Sequence, residues 1–401
     1  MPSETIHNPD QYMTALRTII AGGRKRIGFL LGAGTSAGMK KEDGTYPLIP
    51  AVAGLTKQVL TALEGEYEKQ FLELKRELAP KDDIETLLSR VRSLAKVIGP
   101  AKIHGLDGPG YAKLGEQICD EIGGVVDVSL PAKGSAYSEI VTWIVGASRD
   151  HPVEIFTTNY DLLMEEALER VRAPYFDGFT GGRDPFFDPV TVSNNDLPPR
   201  WTRLWKLHGS LGWDSNSKGE VVRNGKSSSK HLVFPEHLKY DQTQKAPYAA
   251  LLDRLRAFLA TPDTLLISLG FSFADAHISA RIDEGLAGNP SATVFAFQYQ
   301  NLNLETHASE LATRLPNFSL YARDAAVING VKGEWRAPSE LPSKDWGPIR
   351  ASYLEKSTST GTTVFTLGAI ESFSRFLASS RSTQAFTVPI AAPSAAPMAN
   401  E

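Results

Sequence analysis

A single cysteine, Cys119, is all the thiol chemistry that the 401 residues carry. One thiol excludes an internal disulfide framework and any zinc site built from several cysteines. It is compatible with a reducing, cytoplasmic setting. Charge of one sign is also scarce: 42 Lys and Arg against 46 Asp and Glu leave a formal net charge of −4, which gives no support to a broad nucleic-acid-binding face. No apolar run is long enough to span a bilayer. Residues 1–10 lack the basic start and apolar core of a secretion signal. Apart from His208, the histidines show no metal-ligand spacing, and no metal site is expected.

What is present is a chain long enough for one large domain or two ordinary ones, with the apolar and charged fractions of a globular protein. Its pattern alternates strands with helices. Tyr12, Leu16, Ile19 and Ile20 share one face of a helix over 10–21, and Arg26 to Leu31 reads as a buried strand. Residues 50–98 read as helical, with one stripe at Val52, Leu55, Val59 and Leu63 and another at Ile84, Leu87, Leu88, Val91 and Leu94. Asp82 or Asp83 can cap the second helix. Further helices are predicted over 111–122, 135–148, 162–170, 248–260 and 364–377. Strands are predicted over 153–157, 203–207, 264–269 and 292–297, with a last one over 318–321. Residues 174–199 read as a surface excursion, 215–230 as a mobile loop and 383–401 as a disordered tail. The alternation predicts an α/β fold: a Rossmann-like, doubly wound parallel sheet with a helical insertion at about 50–150. The expected domain spans 1–330, followed by a small C-terminal extension over 331–382.

Chemistry concentrates where strands end. Gly32-Ala33-Gly34-Thr35-Ser36-Ala37-Gly38 follows the first long strand, and a strand turning through glycines into a helix can present backbone N–H groups to a diphosphate. Its G-x-G-x-x-x-G spacing is one residue longer than the usual dinucleotide fingerprint. A ligand-free tight turn reads the same pattern. Thr158-Asn159-Tyr160-Asp161 follows the second, and Asp161 alone reads as a cap for the next helix. His208, in Trp205-Lys206-Leu207-His208-Gly209-Ser210, follows the third and alone reads as a structural histidine. Gly270-Phe271-Ser272 follows a fourth. Cys119 sits on an amphipathic helix and reads as core. Open α/β sheets bind ligands at these carboxyl ends, so the set together describes a nucleotide site.

Taken in order, the set resembles the sirtuin superfamily, whose G-A-G-x-S, T-Q-N-x-D, H-G and G-T-S segments correspond to Gly32–Ser36, Thr157–Asp161, His208–Ser210 and Gly270–Ser272. The resemblance covers about the first 330 residues. It implies NAD as substrate and cleavage of the nicotinamide–ribose bond. Asn159 would position the ribose and a water, and His208 would accept a proton. Asp161 would bond the carboxamide, with Thr158 beside it in place of the family's glutamine. Gly32, Ala33, Gly34, Thr35 and Ser36 would cradle the pyrophosphate. Gly270 and Ser272 would approach the adenosine side, with Asp324 near the adenine. One cysteine cannot build the four-cysteine zinc module of deacylating sirtuins, so no zinc is expected. The missing module, Thr158 and the segment Asp83–Leu88 are similar to bacterial sirtuin-like NAD hydrolases of anti-phage defence, and the chain's size, with no large C-terminal sensor domain, resembles the group of them encoded beside a HerA-type hexameric ATPase. A homo-oligomer and such an ATPase partner are expected, with residues 331–382 as the candidate contact region, because they lie outside the resemblance yet keep Trp335, Trp346, Phe365, Phe373 and Phe376. Packing of those aromatics back onto the catalytic domain is the other reading. Two other functions stay open: an NAD or ADP-ribose binder without turnover, and a deacylase.

Overall fold

The computed structural model describes residues 5–224, 246–356 and 362–380. From the amino end, β1 (Ile6–His7), α1 (Pro9–Ala21) and β2 (Arg26–Leu31) lead into a short helix, α2 (Ala33–Ala37). The insertion follows as α3 (Val52–Leu78), α4 (Ile84–Val97), α5 (Gly108–Val126) and α6 (Ala136–Val145). The chain then forms β3 (Glu154–Thr157), α7 (Leu163–Arg170), β4 (Tyr175–Phe176), β5 (Phe179–Thr180), β6 (Phe186–Phe187) and α8 (Pro189–Asn194). Next come β7 (Thr202–Lys206), β8 (Trp213–Ser215), β9 (Val221–Arg223), α9 (Tyr248–Ala260), β10 (Thr264–Leu269), α10 (Ala276–Ala287), β11 (Thr293–Phe297) and α11 (Thr306–Arg314). The last elements are β12 (Phe318–Tyr321), β13 (Ala325–Ile328), β14 (Val331–Trp335), α12 (Trp346–Ala351), β15 (Leu354–Lys356), β16 (Thr363–Phe365) and α13 (Ile370–Ser379).

Ten strands form one sheet in the order β1-β14-β13-β12-β11-β10-β2-β3-β7-β4. From β12 across to β4 every pairing is parallel. Alternation along the strands separates two cores. Ile27, Phe29 and Leu31 of β2 join the core that includes α1, α6, α7 and α13, whereas Leu30 joins the core under α9, α10 and α11. Helices therefore cover both faces, which is the doubly wound arrangement that buried parallel strands require. Asp83 caps α4 by accepting from the N–H groups of Glu85 and Thr86, at 3.0 Å each. Among the described residues no helix is long and apolar enough to cross a membrane.

The structure corrects several expectations. Phe318–Tyr321 is not the last strand: β13 and β14 continue the sheet as an antiparallel hairpin, and β1 joins its edge. The expected boundary at residue 330 falls inside that hairpin. The excursion over 174–199 holds β4, β5, β6 and α8, and the loop expected over 215–230 begins with β8 and β9, which complete a four-stranded sheet with β5 and β6. Strands of two or three residues carry no readable period, so only tertiary pairing forms them. Residues 225–230 and the tail over 383–401 lie outside the described residues. The single helix expected over 364–377 divides into β16 and α13.

The candidate contact aromatics face inward. Trp335, Tyr321 and Phe365 form a triangle of near-parallel rings (Trp335 to Tyr321 6.0 Å, to Phe365 4.8 Å, Tyr321 to Phe365 6.2 Å), and Phe373 meets Phe29 of β2 edge-on at 6.3 Å. Phe365, Phe373 and Phe376 are fully buried and Trp335 and Trp346 nearly so. Buried Asp10 of α1 ties down this extension, accepting from Arg350 Nε at 3.0 Å and from the Tyr353 hydroxyl at 2.5 Å.

Candidate functional site

The chain leaves β2 for β3 and β7 on one side, then returns for β10, β11 and β12 on the other. The reversal lies between β2 and β10, and such a switch point opens a crevice at the carboxyl ends. Gly32, Thr158, His208 and Gly270 all lie just beyond the ends of the four neighbouring strands β2, β3, β7 and β10.

The two glycine segments pack on each other. Gly34 N–H donates to Gly270 O at 2.9 Å, Gly32 N–H to Leu269 O at 3.0 Å, and Thr35 N–H to Gly32 O at 3.0 Å. A Cβ on Gly32 would lie 2.3 Å from Gly270 O, and one on Gly270, whose φ is +62°, would lie 2.4 Å from Thr35 N. Loop-to-loop contact thus accounts for these glycines without a ligand. The contact between segments also engages the N–H groups of Gly32 and Gly34, and the turn itself engages that of Thr35, so three groups expected to face a diphosphate are taken. Ala33 and Gly34 remain exposed.

Beneath this turn lies a buried polar cluster. The Ser36 hydroxyl donates to Asp161 Oδ2 at 2.9 Å, and the Thr35 hydroxyl donates to Gly32 O at 2.7 Å. Both protons being committed, these oxygens can only accept from Asn159 Nδ2, at 3.1 and 3.3 Å. The Tyr137 hydroxyl meets Thr35 Oγ1 at 2.6 Å and accepts from Asn159 Nδ2 at 3.4 Å. This arrangement orients the Asn159 amide and leaves Oδ1 buried without a partner among the described residues, an unfavourable state for a polar atom. Asp161 also caps α7 through Leu163 N–H at 3.2 Å, so its capping and site roles coexist. Burial raises the Asp161 carboxyl above the usual range, partly offset by Lys206, the Ser36 hydroxyl and Leu163 N–H. Burial and then the Asp161 charge raise the Tyr137 phenol.

His208 Nε2 lies 2.8 Å from Asp275 Oδ2. The approach is short, although the oxygen lies off the axis of the ring N–H. Burial works to raise the Asp275 carboxyl, but contact with His208, its charge, and the N–H groups of Ile278 and His277 hold it below the usual range. Two residues before His208, fully buried Lys206 pairs with Glu165 at 3.2 Å and donates to Asp161 O. Burial raises the Glu165 carboxyl, and Lys206 opposes this. The insertion also reaches here: burial first, then the charges of Glu85 on α4 and Asp275, raise the Tyr160 hydroxyl, with Arg92 of α4 opposing.

Thr158 donates its backbone N–H to Leu31 O at 3.1 Å. Ser272 is exposed and accepts from Ala274 N–H at 3.4 Å. Asp324, also exposed, accepts from Leu302 N–H at 2.7 Å, four strands from β3; no bond joins it to the Asn159 cluster. Cys119 is buried on α5 as core. Sequence reasoning missed Asp275, Tyr137, Lys206 and Glu165. Only Asp275 carried a signal, an acidic residue directly before a helix and just after the fourth strand end. No group of three or more potential metal ligands occurs among the described residues.

Several solved structures are similar to this chain. A Sir2 homolog–NAD complex shares 16% identity, covering 79% of this chain and 91% of that one, with a TM-score of 0.36. A structure described under the mechanism and regulation of Sir2 enzymes shares 14%, covering 72% and 85%, at 0.34. A mutant Sir2 homologue–ADP-ribose complex shares 12%, covering 73% and 87%, at 0.33. No curated protein matches the chain. Residues 153–317 match the family described as SIR2-like domain, a span that takes in Asn159, Asp161, His208 and Asp275 but not the Gly32–Ser36 turn or Asp324.

Proposed function

We propose that the chain hydrolyses NAD, breaking the nicotinamide–ribose bond to give nicotinamide and ADP-ribose. The observation that carries this reading is the Asn159 amide. Its Nδ2 is fixed by three hydroxyls and its Oδ1 is buried without a partner among the described residues, so that it is ready to accept from a ribose hydroxyl or an attacking water. In the reaction the C–N glycosidic bond breaks with its electron pair going to the nicotinamide nitrogen, the water oxygen bonds the ribose carbon, and His208 accepts the proton the water loses. Asp161 and Ser36 are assigned to the nicotinamide side. With the N–H groups of Gly32, Gly34 and Thr35 engaged inside the chain, pyrophosphate contact falls to exposed Ala33 or requires the two loops to part.

The test is incubation of purified protein with NAD and measurement of nicotinamide and ADP-ribose. Asn159→Ala and His208→Ala are each expected to lower turnover by on the order of 100- to 10,000-fold while the fold persists. Near-normal turnover in His208→Ala would remove it as the base. Unfolding of that variant would make it a structural histidine.

The resemblance extends the reading further: an NAD-depleting effector of anti-phage defence, cytoplasmic, a homo-oligomer, beside a HerA-type hexameric ATPase. Because Trp335, Trp346, Phe365, Phe373 and Phe376 are buried within the chain, any such contact must use other residues. Mass in solution, with and without the ATPase, tests this extension.

A further inference from the structure

We propose that Asp275 is a positioning residue for His208: its carboxylate holds the imidazole at Nε2 and leaves Nδ1 as the ring nitrogen that takes up a proton. The role in turnover rests on the NAD-cleavage reading; the pairing itself does not.

The two residues come from different strand ends, His208 from beyond β7 and Asp275 from between β10 and α10. The carboxylate divides its work. Oδ1 caps α10, accepting from His277 N–H at 2.8 Å and Ile278 N–H at 3.1 Å, whereas Oδ2, with no hydrogen bond of its own among the described residues, lies 2.8 Å from His208 Nε2, off the ring N–H axis, so that a small turn of the ring closes the bond. A cap needs only the first oxygen. The loop that carries Asp275 is itself held, with Phe273 at φ +61° and the Ser279 hydroxyl donating to Phe273 O at 2.8 Å. Both side chains are nearly buried, at 11% exposure for His208 and 7% for Asp275, so little water screens the pair. Nδ1 has no hydrogen bond among the described residues. A carboxylate on one ring nitrogen selects the tautomer, fixes the ring and stabilises the imidazolium formed when the other nitrogen takes a proton. Tyr160, beside this pair, feels Glu85 and Arg92 from α4 and Tyr248 from α9 together with Asp275.

Asp275→Asn and Asp275→Ser separate positioning from capping, because both side chains cap helices well but neither carries a carboxylate. Each variant is expected to unfold cooperatively. Each should lose at least about tenfold in kcat for nicotinamide release, with KM changing less than about threefold, because the lost contact acts in the transition state. In ¹⁵N NMR, with His208→Gln to assign the ring, the wild type should show the Nε2–H tautomer and both variants should depart from it. A kcat within about twofold of wild type in both variants would make Asp275 only a cap. A ring signature indifferent to both variants would overturn the proposal. If the wild type itself released no nicotinamide, the NAD-cleavage reading would fail, and the NMR comparison would still decide whether Asp275 holds the ring.

Discussion

Replacing Gly270 by alanine tests whether the glycines at the switch point serve loop packing. At φ +62° the new side chain enters a conformation that L-residues avoid, costing about 1–2 kcal/mol. Its Cβ would also sit 2.4 Å from Thr35 N and 2.7 Å from Gly34 C, both backbone atoms. The loops must separate, which adds an overpacking cost of about 1–3 kcal/mol. Separation stretches the 2.9 Å bond from Gly34 N–H to Gly270 O, worth about 1 kcal/mol. The sum is about 3–6 kcal/mol, a large part of the roughly 5–15 kcal/mol that holds an ordinary domain together. Gly44 supplies the control, since its φ is +84° and nothing lies within 4 Å of its would-be Cβ. Gly44→Ala should carry only the backbone cost, about 1–2 kcal/mol. Urea unfolding of both variants, compared at equal m-value, reads the difference directly. Equal losses in the two would refute the packing argument and return Gly270 to the role of admitting a ligand.

Three further outcomes are expected. Glu154, 2% exposed, accepts from Trp205 Nε1 at 2.8 Å and Arg254 Nε at 2.9 Å; Glu154→Gln should cost about 3–5 kcal/mol in urea unfolding by stranding the buried Arg254 charge, and Arg254→Met in the same chain should recover part of it. Asp10→Ala should expose the segment over 336–356 to limited proteolysis, because Asp10 anchors Arg350 and Tyr353; a cleavage pattern like wild type would show that the buried aromatics suffice. The Asp275 carboxyl is held below its unfolded value, so its ionised form adds stability above the ordinary carboxylate range, lost as pH falls through the depressed value. The stability gap between wild type and Asp275→Asn should therefore be widest near neutrality and shrink toward acid; a gap independent of pH would remove the charge from the argument.

The long elements were legible because their periods are strong. Arg26–Leu31, Tyr248–Ala260 and Thr264–Leu269 fall where apolar runs and helical stripes placed them. The four strand ends were legible too, and the sheet brings all four side by side. What stayed hidden depends on contact across the sheet. Nothing local marks Tyr175–Phe176 or Phe186–Phe187 as strands, and nothing local says that the Trp335 ring stacks on Tyr321. The state of the glycine turn was equally out of reach: whether its N–H groups meet a ligand or the neighbouring loop depends on Gly270, far along the chain. Lys206 reads as an ordinary strand lysine until Glu165 and Asp161 O are found beside it.

The position of β2 also shapes the chain's birth on the ribosome. This apolar strand pairs with β3 on one side and β10 on the other, and β10 begins only at Thr264. At about 5–20 residues per second, one edge of Ile27-Gly28-Phe29-Leu30-Leu31 waits roughly ten to fifty seconds for its partner to be synthesised. During that wait it presents unpaired N–H and C=O groups beside bulky apolar side chains, the setting in which strands of separate nascent chains join. Any fragment that stops short of Thr264 keeps that edge open, and one that stops just beyond Leu269 moves the open edge to β10, whose partner β11 begins at Thr293, so a library of shortened chains should stay insoluble at every stop before Leu269.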